Sequence, residues 1–559
     1  MNKVMILLIF LLNVWGSNLW SQWGNTRSDN AQLSTVEGVK TNTQAFPGPD
    51  GSWYISYTNL VVNNQVLHLA RVDSIGQILW DKVIQEDTPP GSLNAAIVPD
   101  GEDGLIIAWS DRRNPNTVFI YANRFDTNGD KMWGDADVRV GQSRIEEGCT
   151  KIISDHKNGA IITLFDDDPP MGDFRGIYAY HLRANGQVSW RTYLFPGSFD
   201  CEDYDIDIDG EGGLVSITRY LHPLEQENQI RAMRLDSNGV KVWPDETFDI
   251  ATLSQPIGMK VQSSLRSYTY PRIFLNPKVG PYLLYFEVPG LMFPDEAIKH
   301  RGHLLNIDGT PAWDPNGIAL NQPVSQSPDI MGLVDTSGNL YFNYHTDSDF
   351  ELQKVMPDGT LPWGIGGVAY SSAFQGAPDN LSLTSCNDII ICYDGIENIV
   401  YSTRISAEGA LVYTPSGIPV STNPAGAHDF DPVSAINKED KVLLVWTKDE
   451  NVSDVTMDIY MQGIGKDGIL GNTLSTIRQL SPQKLSVYPN PVKNRLQFQA
   501  DQLSDQSHLL VQDLNGKTLF SHSNIGSDFQ LNTSSWPSGV YILRVQTEEE
   551  IYVGKIMKE

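Results

Sequence analysis

The side chains best suited to chemistry are acidic, and they crowd one stretch of the chain. Asp111, Asp166, Asp167, Asp168 and Asp173, with Glu146, Glu147, Asp200, Glu202 and Asp203, fall in segments that join short apolar runs. Carboxylates gathered in this way could take a hard cation such as Ca²⁺, which accepts roughly six to eight oxygen ligands. They could also hydrogen-bond sugar hydroxyls or supply the two carboxylates of a glycosidase. The plainer alternative is a set of solvated loop acids that cap turns. The candidate binding set is Asp111, Asp166, Asp167, Asp168, Asp200, Glu202 and Asp203, and no catalytic residue is assigned.

Asp205-Ile206-Asp207-Ile208-Asp209-Gly210 begins like a calcium loop, but Ser216 stands where the twelfth position needs a bidentate acid. Its alternation with Ile206 and Ile208 predicts a strand that carries its acids on one side. No H-E-x-x-H, G-x-S-x-G, phosphate-loop or C-x-x-C pattern occurs. No cofactor is identified, with Ca²⁺ left open.

The elements that must position these acids recur along the chain. Residues 105–109 and 119–123 are short runs of β-branched and aromatic residues bounded by Gly, Asp and Asn, which predicts strands. Asp126-Thr127-Asn128-Gly129 is then a hairpin turn whose glycine supplies a positive φ. The same turn glycine returns at Gly76, Gly186, Gly239, Gly309, Gly359, Gly409 and Gly468. Four residues after the first seven of these eight glycines stands an aromatic: Trp80, Trp133, Trp190, Trp243, Trp313, Trp363 and Tyr413.

Such a period predicts an all-β, eight-bladed β-propeller, with seven blades as the alternative. In one repeat, strand A ends near Asp100, B is 105–109, C is 119–123 and D begins around Lys131. Residues 252–278 are an insertion expected to form a long loop or an elongated strand pair. The eighth repeat has Asn472 in place of the aromatic. Gln22-Trp23-Gly24 resembles Met132-Trp133-Gly134, so the Trp23 segment is expected to supply the missing strand D and close the ring. A strand containing Asn472 is the competing reading. In this frame the B–C and D–A loops share one face, which gathers the acids named above.

The formal net charge of −28, from 68 acidic and 40 basic residues, disfavours nucleic acid as a partner. Lys3, an apolar core over 4–15 and small polar residues to 21 have the layout of a secretory signal peptide. No later stretch is long and apolar enough for a membrane span. In an exported chain the four cysteines could pair as Cys149–Cys201, at near-equivalent repeat positions, and as Cys386–Cys392, across a turn. Buried thiols are the alternative. The expected division is signal peptide 1–21, propeller 22–477, linker 478–484 and a small Ig-like β-sandwich over 485–559.

The last segment carries specific motifs. Tyr488-Pro489-Asn490-Pro491 within Ser486 to Val492, then Asp513-Leu514-Asn515-Gly516-Lys517, Ser538-Gly539-Val540-Tyr541 and Lys555-Ile556-Met557-Lys558 follow one another. They resemble the type A C-terminal sorting domain of the type IX secretion system of Bacteroidetes. The resemblance implies export by that machinery as a partner, release or attachment at the outer cell surface, and a sorting role for Tyr488, Pro489, Asn490, Pro491, Gly539, Tyr541 and Lys555.

Two other resemblances are partial. The D-x-x-G-x-x-x-W turn resembles the tryptophan-docking repeat of eight-bladed quinoprotein dehydrogenases, but it is one residue short and keeps the acid only at Asp73, Asp126 and Asp236. It also resembles the sialidase Asp-box, with the acid misplaced and the Thr before Trp absent. Tryptophan packing between blades is the better account. The sequence reading is a secreted or surface-displayed binding or adhesion protein with a glycan or protein ligand. The alternative is an extracellular glycoside hydrolase that uses loop carboxylates of blades two to four.

Overall fold

The computed structural model describes residues 23–559 apart from 25, 35, 62–63, 88–94, 115–116, 144–149, 167–175, 196–203, 222–227, 244–247, 250–265, 290–297, 325–329, 347–349, 372–379, 414–416, 424–426, 450–456, 472–482, 500–506, 514–517, 524–529 and 547–550. Each repeat forms a four-stranded antiparallel sheet in the order A-B-C-D. In the second sheet these are Ala95–Pro99, Leu105–Asn114, Thr117–Phe125 and Val138–Ser143. Strands B and C extend the two apolar runs. Strand D starts later than the sequence indicates. Lys131 makes only an isolated bridge to Phe125, and the chain turns through Gly134 and Asp137, both at positive φ, before Val138 rejoins the sheet. Trp133 therefore sits in a bend, from which its ring reaches the next sheet.

Strand B reads as an unbroken apolar run because both of its faces are buried. Leu105, Ile107 and Trp109 pack with Tyr54, Leu67 and Leu69 of the first sheet, whose strands are Val39–Pro47, Trp53–Val61, Asn64–Val72 and Ile78–Asp87. Ile106 and Ala108 pack with Ile152, Ile162 and Leu164 of the third, formed by Lys151–Ser154, Ala160–Asp166, Gly176–Leu182 and Val188–Phe195. The same division continues through the fourth sheet, which starts at Tyr204–Ile208, and the fifth, which starts at Arg266–Asn276. The fifth opens on an elongated pair, Arg266–Asn276 against Gly280–Pro289, at the end of the expected insertion. Beyond lie the sixth sheet, from Gly332–Val334, the seventh, from Asn380–Leu383, and the eighth, from His428–Ile436. The last core returns to the start. Leu443, Val445 and Met461 of the eighth sheet pack with Trp53, Ile55 and Tyr57 of the first.

That circle is closed by the chain's beginning. Strand D of the eighth sheet is Ala31–Gln32, paired with Met461 and Tyr460 of Met457–Ile464. Trp23 takes the aromatic position and Ala31–Gln32 the strand, so the closing segment is longer than the Trp23 neighbourhood alone. Gln462 Nε2 donates to the Gly24 carbonyl at 2.7 Å, as Gln353 does to Gly364 and Asn123 to Gly134 in other repeats. Asn472 lies outside the described residues.

Each repeated aromatic docks on the turn glycine of the next sheet. A Cβ built on Gly129 would come within 2.9 Å of Trp80, and on Gly186 within 2.8 Å of Trp133. Gly239, Gly309, Gly359, Gly409 and Gly468 face Trp190, Trp243, Trp313, Trp363 and Tyr413, and Gly76 faces Trp23. The indole N–H of Trp80 donates to Thr127 O at 3.1 Å, and that of Trp133 to Ala184 O at 2.8 Å. The repeated tryptophans thus hold neighbouring sheets together, in keeping with the packing account.

In the tail, Gln483–Lys484, Ile551–Lys558, Gly539–Gln546, His508–Asp513 and Thr518–Ser523 form a five-stranded sheet. Ser486–Tyr488, Arg495–Gln499 and Gln530–Asn532 form a three-stranded one. Leu496 and Phe498 of the smaller sheet share a core with Leu509, Leu543 and Ile556 of the larger.

Candidate functional site

Strand A begins and strand B ends at the same end of every sheet, so side chains there meet across neighbouring repeats. Asp111 and Asp166 occupy the same position late in strand B, and both are buried. Asp166 is held within its own sheet. Tyr180 donates its hydroxyl to Asp166 Oδ2 at 3.1 Å, Arg191 Nη2 lies 3.3 Å from the same oxygen, and Arg191 Nε donates to the Tyr180 hydroxyl. Glu287, at the corresponding place in the fifth sheet, pairs with Arg301 at 2.8 Å. Asp167, Asp168, Asp173, Glu146, Glu147, Asp200, Glu202 and Asp203 lie outside the described residues, as do Cys149 and Cys201.

A second acidic group stands at the same end, between the seventh and eighth sheets. Asp394 ends strand Ile389–Asp394, and Asp429 and Asp431 lie early in His428–Ile436. Burial, reinforced by the charges of Asp431 and Asp429, pushes the Asp394 carboxyl up to about 7. Burial also raises Asp429, against the lowering effect of its hydrogen bond from Ser421 and of Lys448, 4.0 Å away. Asp431 is raised by burial and partly offset by His428. Asp431 adopts φ 52° at a bulge between Phe430 and Val433. Equivalent bulges put Asn42 at φ 54° and Tyr270 at φ 52° in the first and fifth sheets. A bulge of this kind re-aims side chains at a strand end. A carboxyl pushed up to about 7, as that of Asp394 is, can both donate to and accept from hydroxyl groups. Among the described residues no group of three or more His, Cys, Asp or Glu side chains is arranged to hold a metal ion.

The Asp205 to Asp209 run serves as a clamp between sheets. Asp205 Oδ1 lies 3.0 Å from Lys151 Nζ of the third sheet, and Oδ2 accepts the Ile273 N–H of the fifth at 3.2 Å. Asp207 Oδ2 accepts the Leu275 N–H at 2.7 Å, and burial pushes the Asp207 carboxyl up to about 7. This is the strand with its acids on one side that the alternation predicts.

Asp209 belongs to a recurrent device at the opposite end of the sheets. Its Oδ1 accepts the N–H groups of Glu211 and Gly213, and its Oδ2 meets Arg234 at 2.9 Å. Asp100 does the same with Glu102, Gly104 and Arg124, and Asp155 with Lys157, Gly159 and His181. The signal is present in the sequence as D-x-x-x-G before strand B of the second, third and fourth sheets, a spacing distinct from the G-x-x-x-W period.

The Cys386–Cys392 pairing is corrected. Both thiols are free: Cys386 is exposed on the A–B turn, whereas Cys392 is buried within strand B. The Cys392 thiol lies 3.1 Å from the Pro432 carbonyl, in the core between sheets.

In the tail, Asn490 ties the start of the domain to its last strand. Its Nδ2 donates to Lys555 O at 2.8 Å and its Oδ1 accepts the Met557 N–H at 2.8 Å. The peptide bonds before Pro489 and Pro491 are cis. Tyr541 donates its hydroxyl to Pro537 O at 2.8 Å, and Tyr488 is half exposed. Gly539 opens the strand Gly539–Gln546, which carries Tyr541.

Residues 486–559 match the family model of the secretion system C-terminal sorting domain. No curated protein matches the chain. Among solved structures, prolyl oligopeptidase B from Galerina marginata is similar at 12% identity and TM-score 0.40, with 74% of this chain covering 56% of that one. The β-propeller domain of the Trilobed protease from Pyrococcus furiosus is similar at 11% identity and TM-score 0.38, covering 67% of this chain and 95% of that one. The periplasmic gluconolactonase of Pseudomonas aeruginosa gives 13% identity and TM-score 0.38, covering 66% and 95%. No helix among the described residues is long and apolar enough to cross a membrane. With the order Tyr488 to Lys558 intact and matched across 486–559, the chain ends in a secretion-system C-terminal sorting domain, which sends an all-β, propeller-like protein to the cell surface or exterior.

Proposed function

We propose that residues 22–477 form an eight-bladed β-propeller that binds an extracellular ligand on the face where strands A begin and strands B end. An N-terminal signal peptide starts its export, and a small Ig-like sandwich, following the linker 478–484, is read by the type IX machinery. The observation that carries this reading is the Asp394, Asp429 and Asp431 group on that face, in which Asp429 is buried, Asp394 half-buried and Asp431 exposed, and whose carboxyls are shifted upward. Asp111 and Asp166 stand late in strand B at that end of their sheets, and the repeat frame read from the sequence assigns Asp167, Asp168, Asp200, Glu202 and Asp203 to the loops of the same face. Ligands of matching chemistry are polyhydroxyl glycans or basic protein segments, with Ca²⁺ as an optional bridge.

A glycan-array screen of the purified protein, with and without Ca²⁺, tests the reading. Binding weakened about tenfold or more by Asp394→Asn or Asp431→Asn supports it. Binding unaltered by both places the ligand elsewhere. The second reading, a glycan hydrolase, draws on Asp394 alone, because a carboxyl pushed up to about 7 can act as a general acid. Release of reducing ends, abolished by Asp394→Asn or Asp167→Asn, would establish that reading instead.

A further inference from the structure

The joint that closes the ring differs from the others in covalent terms. Strand D of the second sheet, for example, follows strand C through a turn, whereas Ala31–Gln32 is tied to the strand it completes by non-covalent contacts alone. The Trp23 N–H reaches Ser74 O at 3.4 Å, against 3.1 Å for Trp80, 2.8 Å for Trp133, 3.0 Å for Trp190 and 2.9 Å for Trp313. A cavity lies beside it, lined by Trp23, Trp53, Ser74, Lys441, Gly463 and Gly471. The Trp53 indole N–H, on a side chain 1% exposed, has no hydrogen-bond partner. An unpaired buried donor and an underfilled contact both weaken an interface.

Against these stands a compact set of polar ties. Lys40 is fully buried. Its ammonium donates to the carbonyls of Val36 and Gly38, and it meets Asp458 Oδ1 at 2.7 Å. Gln32 Nε2 donates to the other Asp458 oxygen at 2.9 Å. Leu33 N–H donates to Ile459 O at 2.8 Å, and Met457 N–H to Gly38 O at 3.2 Å. Gly38, at φ +134°, offers a pivot where the segment meets the first sheet.

We infer that residues 23–34 are a latch that swings open about Gly38 while the eight sheets stay folded, and that Asp458 sets how often it opens. Opening uncovers the edge of strand Met457–Ile464 and separates Trp23 from the Gly76 turn. The cost is confined to the latch contacts, so it lies below that of unfolding the ring.

Hydrogen exchange on the full-length protein tests this. The Leu33 amide, with those of Ala31 and Gln32, should exchange about tenfold or more faster than those of Val442–Asp449, with little dependence on urea. Asp458→Asn should speed the latch amides by about a further tenfold and leave Val442–Asp449 unchanged. Ala31 and Met461 are directly opposed. A disulfide between cysteines introduced there should slow the latch amides to the rate of the strand. If Asp458→Asn does not fold, Gln32→Ala should give the same acceleration on a smaller scale. Latch amides that exchange at the rate and urea dependence of Val442–Asp449, in wild type and variant alike, overturn the inference.

Discussion

Trp80 lies against the turn glycine Gly129, so close that the position has room for no side chain. Gly129 also holds φ +74°, so an added methyl meets both backbone strain and the ring. Gly134, at φ +99°, has nothing within 4 Å. Gly129→Ala should therefore destabilise by roughly 2–4 kcal/mol, and Gly134→Ala by about 1 kcal/mol. Urea unfolding of the two variants measures the difference. Equal effects would mean that the docked ring contributes nothing.

Trp23 is 3% exposed and belongs to the core shared by the first and eighth sheets. Trp23→Ala should cost about 3–5 kcal/mol. Trp23→Phe keeps most of the packing and gives up a long hydrogen bond, so a loss of around 1 kcal/mol is expected. Removing residues 22–35 should lower the thermal transition further still. An unchanged transition would show that the ring holds without its closing segment.

The Asp207 carboxyl, about 7 in the folded state, lies above its unfolded value of roughly 3.9. Between those two values the folded protein binds more protons than the unfolded one. Its stability therefore falls as pH rises through that window, by up to about 1.4 kcal/mol per unit, and levels off above it. Asp207→Asn retains an acceptor for the Leu275 N–H and cannot ionise. Its melting temperature should match wild type near pH 4 and exceed it at pH 8. The slope that remains in the variant combines the raised Asp394, Asp429 and Asp431 with the opposite contribution of His300 and His303, which burial lowers to about 4.

Arg124 Nε meets Asp100 Oδ2 at 2.7 Å, and Asp100 is 1% exposed. Arg124→Met strands a buried carboxylate and should cost about 3–5 kcal/mol. Asp126, only half-buried, shapes its turn through the Asn128 and Asp130 N–H groups. Asp126→Asn should cost less than about 1 kcal/mol. Chemical denaturation of both variants compares them.

Asn490→Asp keeps the acceptor for the Met557 N–H and loses the donor to Lys555 O. Asn490→Ala loses both. If this tie shapes the sorting domain, the fraction of protein reaching the medium or cell surface should fall in the order wild type, Asp variant, Ala variant. Cell fractionation with antibody detection gives the readout, and equal export of all three would separate Asn490 from sorting.

The ring was legible because its joints repeat. A glycine and an aromatic four residues later recur with little variation, since each pair must fit the same gap between two sheets. Even Trp23, far from the eighth repeat in sequence, could be placed by its likeness to Trp133. The acidic face was legible as an end of the sheets but not as a set of side chains. Asp394 is far in sequence from Asp429 and Asp431, and the packing of strand B of the seventh sheet against the bulged strand A of the eighth brings them into one group. The Asp166 carboxylate shows the converse. It belongs to a conspicuous acidic run, yet its partners Tyr180 and Arg191 arrive from later strands that no local pattern ties to it. Cys386 and Cys392 were close in sequence, but one sits on a turn and the other faces a core.

The aspartate turns that precede strand B have a consequence for how the molecule can change. At that end, backbone direction is specified by Asp100, Asp155 and Asp209 together with their glycines, so nearly every position there is committed to geometry. Among the described residues the opposite end shows no recurrent aspartate turn of this kind, so its connections are freer to vary in length and composition. The protein is thus a standard mount with an interchangeable fitting, and new recognition can be tried on one rim while the other keeps the chain foldable.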